Sequence, residues 1–176
     1  MSRQIFEQVS VLVVDDNRHM VHLVCQVLHA LGVKRTIPAL DGAEAFTQMR
    51  TNAIDIVVAD YNMSPIDGIE FVKLLRTAND SPNPYVPIVM LTGRTDYRSV
   101  RAARDSGITE FLAKPISAKG LYLRLLNLIE NPRPFIRARN YFGPDRRRQD
   151  DPAYRGARRR ESDATDPETL SASASG

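Results

Sequence analysis

Three stretches of this chain, residues 9–14, 54–59 and 88–91, are short, rich in β-branched residues and almost continuously apolar. A strand with one wet face alternates apolar and polar side chains, so uninterrupted runs of this length belong to strands covered on both faces by helices. Weaker strand patterns occupy residues 36–39 and 110–113. Between the runs, Met20, Val21, Val24, Leu28 and Leu31 recur at helical spacing and stop before Gly32, a residue suited to closing a helix. Residues 43–49, 68–75, 97–105 and 119–129 read as further helices. Five strands alternating with five helices over roughly 125 residues predict an α/β class fold, a doubly wound five-stranded parallel sheet whose ligands sit beyond the carboxyl ends of the strands.

The pattern stops at Asn131-Pro132-Arg133-Pro134, which cannot continue a helix. Charge divides the chain at the same place. Residues 1–130 carry 14 basic and 14 acidic side chains, residues 131–160 carry 10 and 3, and residues 161–176 carry 0 and 4, giving segments of net charge 0, +7 and −4. The expected organisation is a globular domain over residues 8–130, an arginine-rich extension over 131–160, and a low-complexity acidic and Ser/Ala tail over 161–176, the part after 130 being largely disordered. All ten basic residues of the extension are Arg, a choice that favours planar recognition of phosphate or guanine. No run approaches the ~18 apolar residues of a membrane span, so no membrane insertion is expected. The single Cys25 excludes an intrachain disulfide and fits a reducing cytoplasm, where it reads as a small buried hydrophobe.

The residues that close the strands carry the chemistry. Asp15 and Asp16 follow the first, Asp60 the third, Thr92 the fourth, and Lys114-Pro115 the fifth. Parallel strands bring all of these to one sheet edge. Three carboxylates gathered there repel one another unless a cation sits among them, and magnesium, an oxygen-seeking ion usually held by one or two carboxylates plus a phosphate oxygen, suits the set. Gly42 after Asp41 and Gly68 after Asp67 read as turn or helix-start positions.

This constellation resembles the receiver domain of bacterial two-component response regulators, particularly the single-domain type related to the chemotaxis regulator. The likeness covers about residues 8–130 and rests on Asp15-Asp16, on Asp60-Tyr-Asn-Met-Ser-Pro-Ile-Asp67-Gly68, on Thr92 and on Lys114-Pro115. It implies the flavodoxin-like receiver fold, with Asp60 as the nucleophile that accepts a phosphoryl group from a histidine kinase or phosphotransfer protein. Asp15, Asp16, Asp60 and the backbone carbonyl of Asn62 would hold Mg²⁺, Lys114 would pair with the phosphoryl oxygens, and Thr92 would hydrogen-bond one of them on activation. Phe111, three residues before Lys114, matches the family's switch aromatic. Ser64 and Gly93 depart mildly from the usual family residues. Such a protein is a phosphoacceptor, not a turnover enzyme.

A phosphatase of the haloacid-dehalogenase type also uses a strand-end Asp, but it wants Asp-x-Asp and position 62 is Asn. His19, His22 and His29 have no partner ligands at metal-binding spacing and read as helix-surface residues. Arg94, Arg98, Arg101 and Arg104 form a rough stripe on or just before the fourth helix, read either as an ordinary solvated face or as part of the output surface.

Shifted by 13 residues, the extension aligns with itself: Tyr141 on Tyr154, Gly143 on Gly156, Arg146 on Arg159 and Arg147 on Arg160, a doubled Y-x-G-x-x-R-R. Arg forks suit phosphate and the guanine edge, and Tyr and Arg planes stack on purines, so the repeat points to a ligand with two similar halves such as cyclic di-GMP. The segment also resembles the arginine-rich extension of chemotaxis-type regulators that bind cyclic di-GMP and act at the flagellar motor switch. A nonspecific tether to nucleic acid or an anionic surface, and a solvated tail, are the competing readings. The expectation for the whole chain is a cytoplasmic response regulator without a DNA-binding domain that signals by protein contact. The alternative is a ligand-responsive adaptor that is no longer phosphorylated.

Overall fold

In a computed structural model of the chain, residues 5–93, 97–146 and 168–170 are described. The expected strands are present as β1 (Ser10–Val14), β2 (Arg35–Ala39), β3 (Ile56–Asp60), β4 (Ile88–Thr92) and β5 (Glu110–Ala113), all parallel, in the order β2-β1-β3-β4-β5. They alternate with α1 (Arg18–Ala30), α2 (Gly42–Thr51), α3 (Gly68–Thr77), α4 (Tyr97–Ser106) and α5 (Ala118–Glu130).

Strand alternation feeds two cores, one on each face. Leu12, Val14, Val57, Ala59, Ile88 and Met90 pack with α2, α3 and Ala103 of α4, while Val11, Val13, Ile56, Val58, Val89 and Leu91 pack with α1 and α5. This double covering is why the three central strands read as unbroken apolar runs. Short polar side chains start the helices: the Asn17 side chain accepts from the N–H groups of His19 and Met20, and Ser117 from that of Gly120. Gly32, just past α1, takes a φ of +105°, the left-handed conformation that Gly adopts without strain.

The extension departs from the expectation of a largely disordered tail. Phe135–Ala138 (β6) and Tyr141–Pro144 (β7) form an antiparallel hairpin, and Glu168–Leu170 (β8) pairs antiparallel with the other edge of β6. The hairpin packs against the amino-end side of the main sheet. Phe135 and Phe142 are buried there with Tyr85, whose ring centroid lies 5.4 and 5.3 Å from theirs. Arg76 of α3 lies beneath them, 3% exposed, its Nε donating to the Gly107 carbonyl at 3.0 Å, its Nη1 to the Pro84 carbonyl at 2.7 Å, and its guanidinium 4.9 Å from the Phe135 ring centroid. Composition weighs the segment as polar, but two buried Phe residues are sufficient to dock a hairpin on an aromatic neighbour.

Candidate functional site

The strand order reverses between β1 and β3, the point at which open parallel sheets of this kind bind ligands. Lys114 follows β5 and places Nζ 2.6 Å from Asp60 Oδ1 and 3.9 Å from Asp15 Oδ2. Asp60 Oδ2 accepts from the Asn62 N–H at 3.1 Å, Asp15 Oδ1 from the Asn17 N–H at 2.9 Å, and Asp16 Oδ2 from the Ser64 N–H at 3.1 Å. Thr92 is buried at the end of β4, and its carbonyl accepts the Lys114 N–H at 2.8 Å. The structure thus gathers Asp15, Asp60 and Lys114 in direct reach of one another, with Asp16, Asn62 and Thr92 beside them.

The charges are unequally met. Asp15 and Asp60 are 2% and 4% exposed, and Asp15 Oδ2, although buried, has no hydrogen-bond partner. Burial pushes the Asp15 carboxyl above its ordinary range, and Asp60 and Asp16 push it the same way against the Asn17 N–H and Lys114. A buried carboxylate oxygen that makes no hydrogen bond, in an acidic cluster, could take a cation. Among the described residues no three His, Cys, Asp or Glu side chains close a cage of protein ligands alone. Mg²⁺ keeps several waters and is usually held by one or two carboxylates, so Asp15, Asp16 and Asp60 are the residues that could hold it.

Gly68 has a stricter role than the turn or helix start read from sequence. The capping box of Asp67 and Glu70 begins α3 against the backbone that follows β3, and a Cβ at position 68 would stand 2.3 Å from the Asp60 carbonyl oxygen. Only a residue without a side chain lets α3 start this close to the site. Phe111 lies on β5 opposite Met90, half-buried against the core that also holds Ala103 of α4. His22 and His29 are on the α1 surface, bonded to Gln26 and Thr36, and Cys25 is half-buried. Arg98, Arg101 and Arg104 lie exposed along α4.

The first copy of the doubled motif is engaged with the domain itself. Arg146 pairs with Asp105 of α4 and lies 3.7 Å over the Tyr141 ring, while the Tyr141 hydroxyl donates to the Pro144 carbonyl at 2.7 Å. Gly143 sits so near Gly107 that a Cβ would approach the Gly107 Cα to 2.9 Å. Outside the repeat, Arg133 pairs with Glu110 at 3.5 Å. Arg94, Arg147, Tyr154, Arg159 and Arg160 lie outside the described residues. Sequence reasoning missed Arg76, Tyr85, Asp105 and Gly107 as the dock for this hairpin. The available signal was the pair Phe135 and Phe142 in an otherwise polar segment.

Comparison with known proteins bears on this edge. The family described as response regulator receiver domain matches residues 11–126. The chain is 29% identical over 124 residues to the chemotaxis protein CheY-3 of Vibrio cholerae, covering 70% of this chain and 94% of that one. It is 32% identical over 117 residues to the heme response regulator HssR of Staphylococcus haemolyticus, covering 66% of this chain and half of that protein. Among solved structures, Vibrio cholerae chemotaxis protein CheY4 superposes with a TM-score of 0.61 at 31% identity, covering 69% of this chain and 98% of its own. The receiver domain of the Francisella response regulator 1452 gives 0.63 at 29%, covering 70% and 98%.

Proposed function

Because the chain belongs to the response regulator receiver family, we propose that it is a phosphoacceptor: Asp60 takes a phosphoryl group from a histidine kinase or phosphotransfer protein, and the modified domain signals by protein contact. One observation carries this reading. The carboxylate of Asp60 is buried, held at one oxygen by Lys114 Nζ at 2.6 Å and at the other by the Asn62 N–H, beside Asp15 Oδ2, which accepts no hydrogen bond.

In the transfer, a carboxylate oxygen of Asp60 attacks phosphorus. The O–P bond forms as the N–P bond of the donor phosphohistidine breaks, and the electron pair of that bond leaves with the imidazole. Lys114 fixes the Asp60 carboxylate and offers its charge to the incoming phosphoryl oxygens, and Thr92, buried at the neighbouring strand end, would donate its hydroxyl to one of them. Asp15, Asp16, Asp60 and the Asn62 carbonyl would hold Mg²⁺, which neutralises charge on the phosphoryl oxygens. The chain is then the substrate of its own reaction and not a turnover enzyme. Among the described residues no helix is long and apolar enough to cross a membrane, and we place the protein in the cytoplasm with its kinase. Its target is a protein of the motility apparatus, such as the flagellar motor switch, in keeping with the chemotaxis relatives.

Acetyl phosphate in Mg²⁺ tests the assignment. The wild-type chain is expected to label and Asp60→Asn not to. Labelling of the variant at the wild-type rate would place the acceptor elsewhere, and a wild-type chain that does not label at all would favour an adaptor that is no longer phosphorylated.

Cyclic di-GMP binding by the extension is a second reading, favoured by the doubled Y-x-G-x-x-R-R. Since Arg146 is paired with Asp105, a ligand gripped by the first copy has to replace that contact. Arg159→Ala with Arg160→Ala is expected to weaken cyclic di-GMP binding more than Arg133→Ala with Arg137→Ala, at two salt concentrations. Equal losses from the two pairs, which shrink at the higher salt as binding itself weakens steeply, would indicate a nonspecific anionic tether.

A further inference from the structure

Among the described side chains, helix α4 buries far less apolar surface than α3. Of its described side chains only Ala103 and Ser106 are buried, whereas α3 buries Ile69, Phe71, Val72, Leu75 and Arg76. An element with few buried apolar contacts opens or shifts at low free-energy cost. Yet α4 links the strand that ends at Thr92 to the strand that carries Phe111 and leads into Lys114, so its position and that of the acceptor edge are mechanically connected.

The hairpin grips the carboxyl end of this helix from outside. Arg146 binds Asp105, which also faces Arg101 at 3.8 Å, and Gly143 backs onto Gly107 at the α4–β5 turn. Gly107 has a φ of +102°, and a Cβ there would meet the Phe142 carbonyl at 2.9 Å, so turn and hairpin fit only because both positions lack side chains. Below them the Gly107 carbonyl accepts from Arg76, whose guanidinium lies beneath Phe135. The contact is therefore a fitted one at the same end of α4 from three directions.

We propose that the first Y-x-G-x-x-R copy is a clasp on α4 whose closure is coupled to the state of Asp60, making the hairpin a regulator of the acceptor site and a reporter of it. The proposal rests on the reading of Asp60 as the phosphoacceptor. With Asp60 unmodified the clasp is closed. Closure favours this arrangement of α4, so modification of Asp60 that shifts α4 opens the clasp, and loosening the clasp makes modification easier by the same factor. The hairpin then carries the state of Asp60 into the arginine-rich extension without any separate output domain.

The test uses the full-length chain and beryllofluoride with Mg²⁺ as the phosphoryl mimic. Asp105→Asn and Arg146→Gln are expected each to tighten beryllofluoride binding by about 5-fold, the low end for coupled sites, and the double variant to gain no more than either single one. Gly143→Ala, which forces the hairpin off sterically without altering charge, is expected to act in the same direction. In the wild-type chain, amides of residues 135–144 should exchange faster with beryllofluoride bound than without it. Wild-type affinity in all these variants, together with unchanged exchange, overturns the clasp while leaving the acceptor reading intact. A wild-type chain that does not bind beryllofluoride overturns both.

Discussion

At the carboxyl ends of the strands Asp15 and Asp60 are buried with one lysine between them, whereas at the amino ends Arg76 is buried among carbonyl groups and aromatic rings. Among the described residues each end has one buried polar side-chain atom that makes no hydrogen bond, Asp15 Oδ2 and Arg76 Nη2. The surroundings differ in sign and in balance. Around Arg76 the cation is delocalised, two of its nitrogens are satisfied by carbonyls and its face rests on Phe135; burial brings its pKa down to about 9, which still leaves it charged at neutral pH. Around Asp15 the nearest charges include two more carboxylates, so the folded chain holds a negative excess that its own residues do not cancel. A buried charge met by dipoles and rings is a packing solution, and a buried charge surrounded by its own sign is a site kept ready for something that arrives.

The contrast breaks most visibly at Lys114. Lys114→Ala removes the only cation within 4 Å of Asp60 among the described residues, and the rate of acetyl phosphate labelling is expected to fall by about 100-fold, the usual cost of losing a charge aimed at the reacting oxygens. Labelling kinetics at saturating Mg²⁺ measure it. A loss of only a few-fold would mean that the lysine holds the fold and not the chemistry.

Arg76→Met probes the opposite end. It leaves the Gly107 and Pro84 carbonyls without their donor and is expected to cost about 2 to 3 kcal/mol of stability, read by urea unfolding. Labelling of Asp60 in the folded fraction should continue. If Arg76→Met instead abolished labelling without loss of stability, Arg76 would serve the acceptor chemistry and not the packing beneath the hairpin.

These two ends were not equally legible in the sequence. The acceptor edge could be read because each of its residues directly follows a strand that announces itself: Asp15, Asp60 and Lys114 are placed by Val-Leu-Val-Val, Ile-Val-Val-Ala and Glu-Phe-Leu-Ala, and a parallel sheet converts strand ends into neighbours. The hairpin dock could not be read that way. Arg76 lies in an amphipathic helix where an Arg is normally solvated, and Asp105 and Gly107 end a polar helix. What covers Arg76 and Gly107 and pairs with the exposed Asp105 is a segment about 30 to 60 residues later in sequence, whose net charge outweighs Phe135 and Phe142 in a composition-based reading. The doubled motif is visible in the sequence and points to an outside ligand, but nothing local shows that Arg146 of its first copy also meets Asp105. Gly68 shows the same limit on a smaller scale. Sequence marks a helix start there, and only the 2.3 Å approach to the Asp60 carbonyl shows why no other residue fits.

The smallest expected effect sharpens the comparison by reversing a sign. Asp15→Asn keeps an oxygen to accept the Asn17 N–H and removes one negative charge from the cluster. The folded pKa of Asp15 is raised above the ordinary 3.8 chiefly by burial, so between that value and the raised one the folded chain binds more protons than the unfolded chain. Stability contributed by this group therefore falls as pH rises through that window, and the penalty is largest above the raised value. Without divalent cation, Asp15→Asn should accordingly be more stable than wild type at neutral pH by about 1 kcal/mol, a common gain when a strained functional residue is replaced. The difference should shrink as pH falls through the raised value toward 3.8, because protonation of the wild-type carboxyl removes the repulsion. Added Mg²⁺ should stabilise the wild-type chain and scarcely affect the variant, because the carboxylate that would hold the ion is gone. Urea unfolding in chelator and in Mg²⁺, at neutral and acidic pH, gives all of these values. A variant that is less stable than wild type in chelator at neutral pH would show that Asp15, like Arg76, is held for the fold.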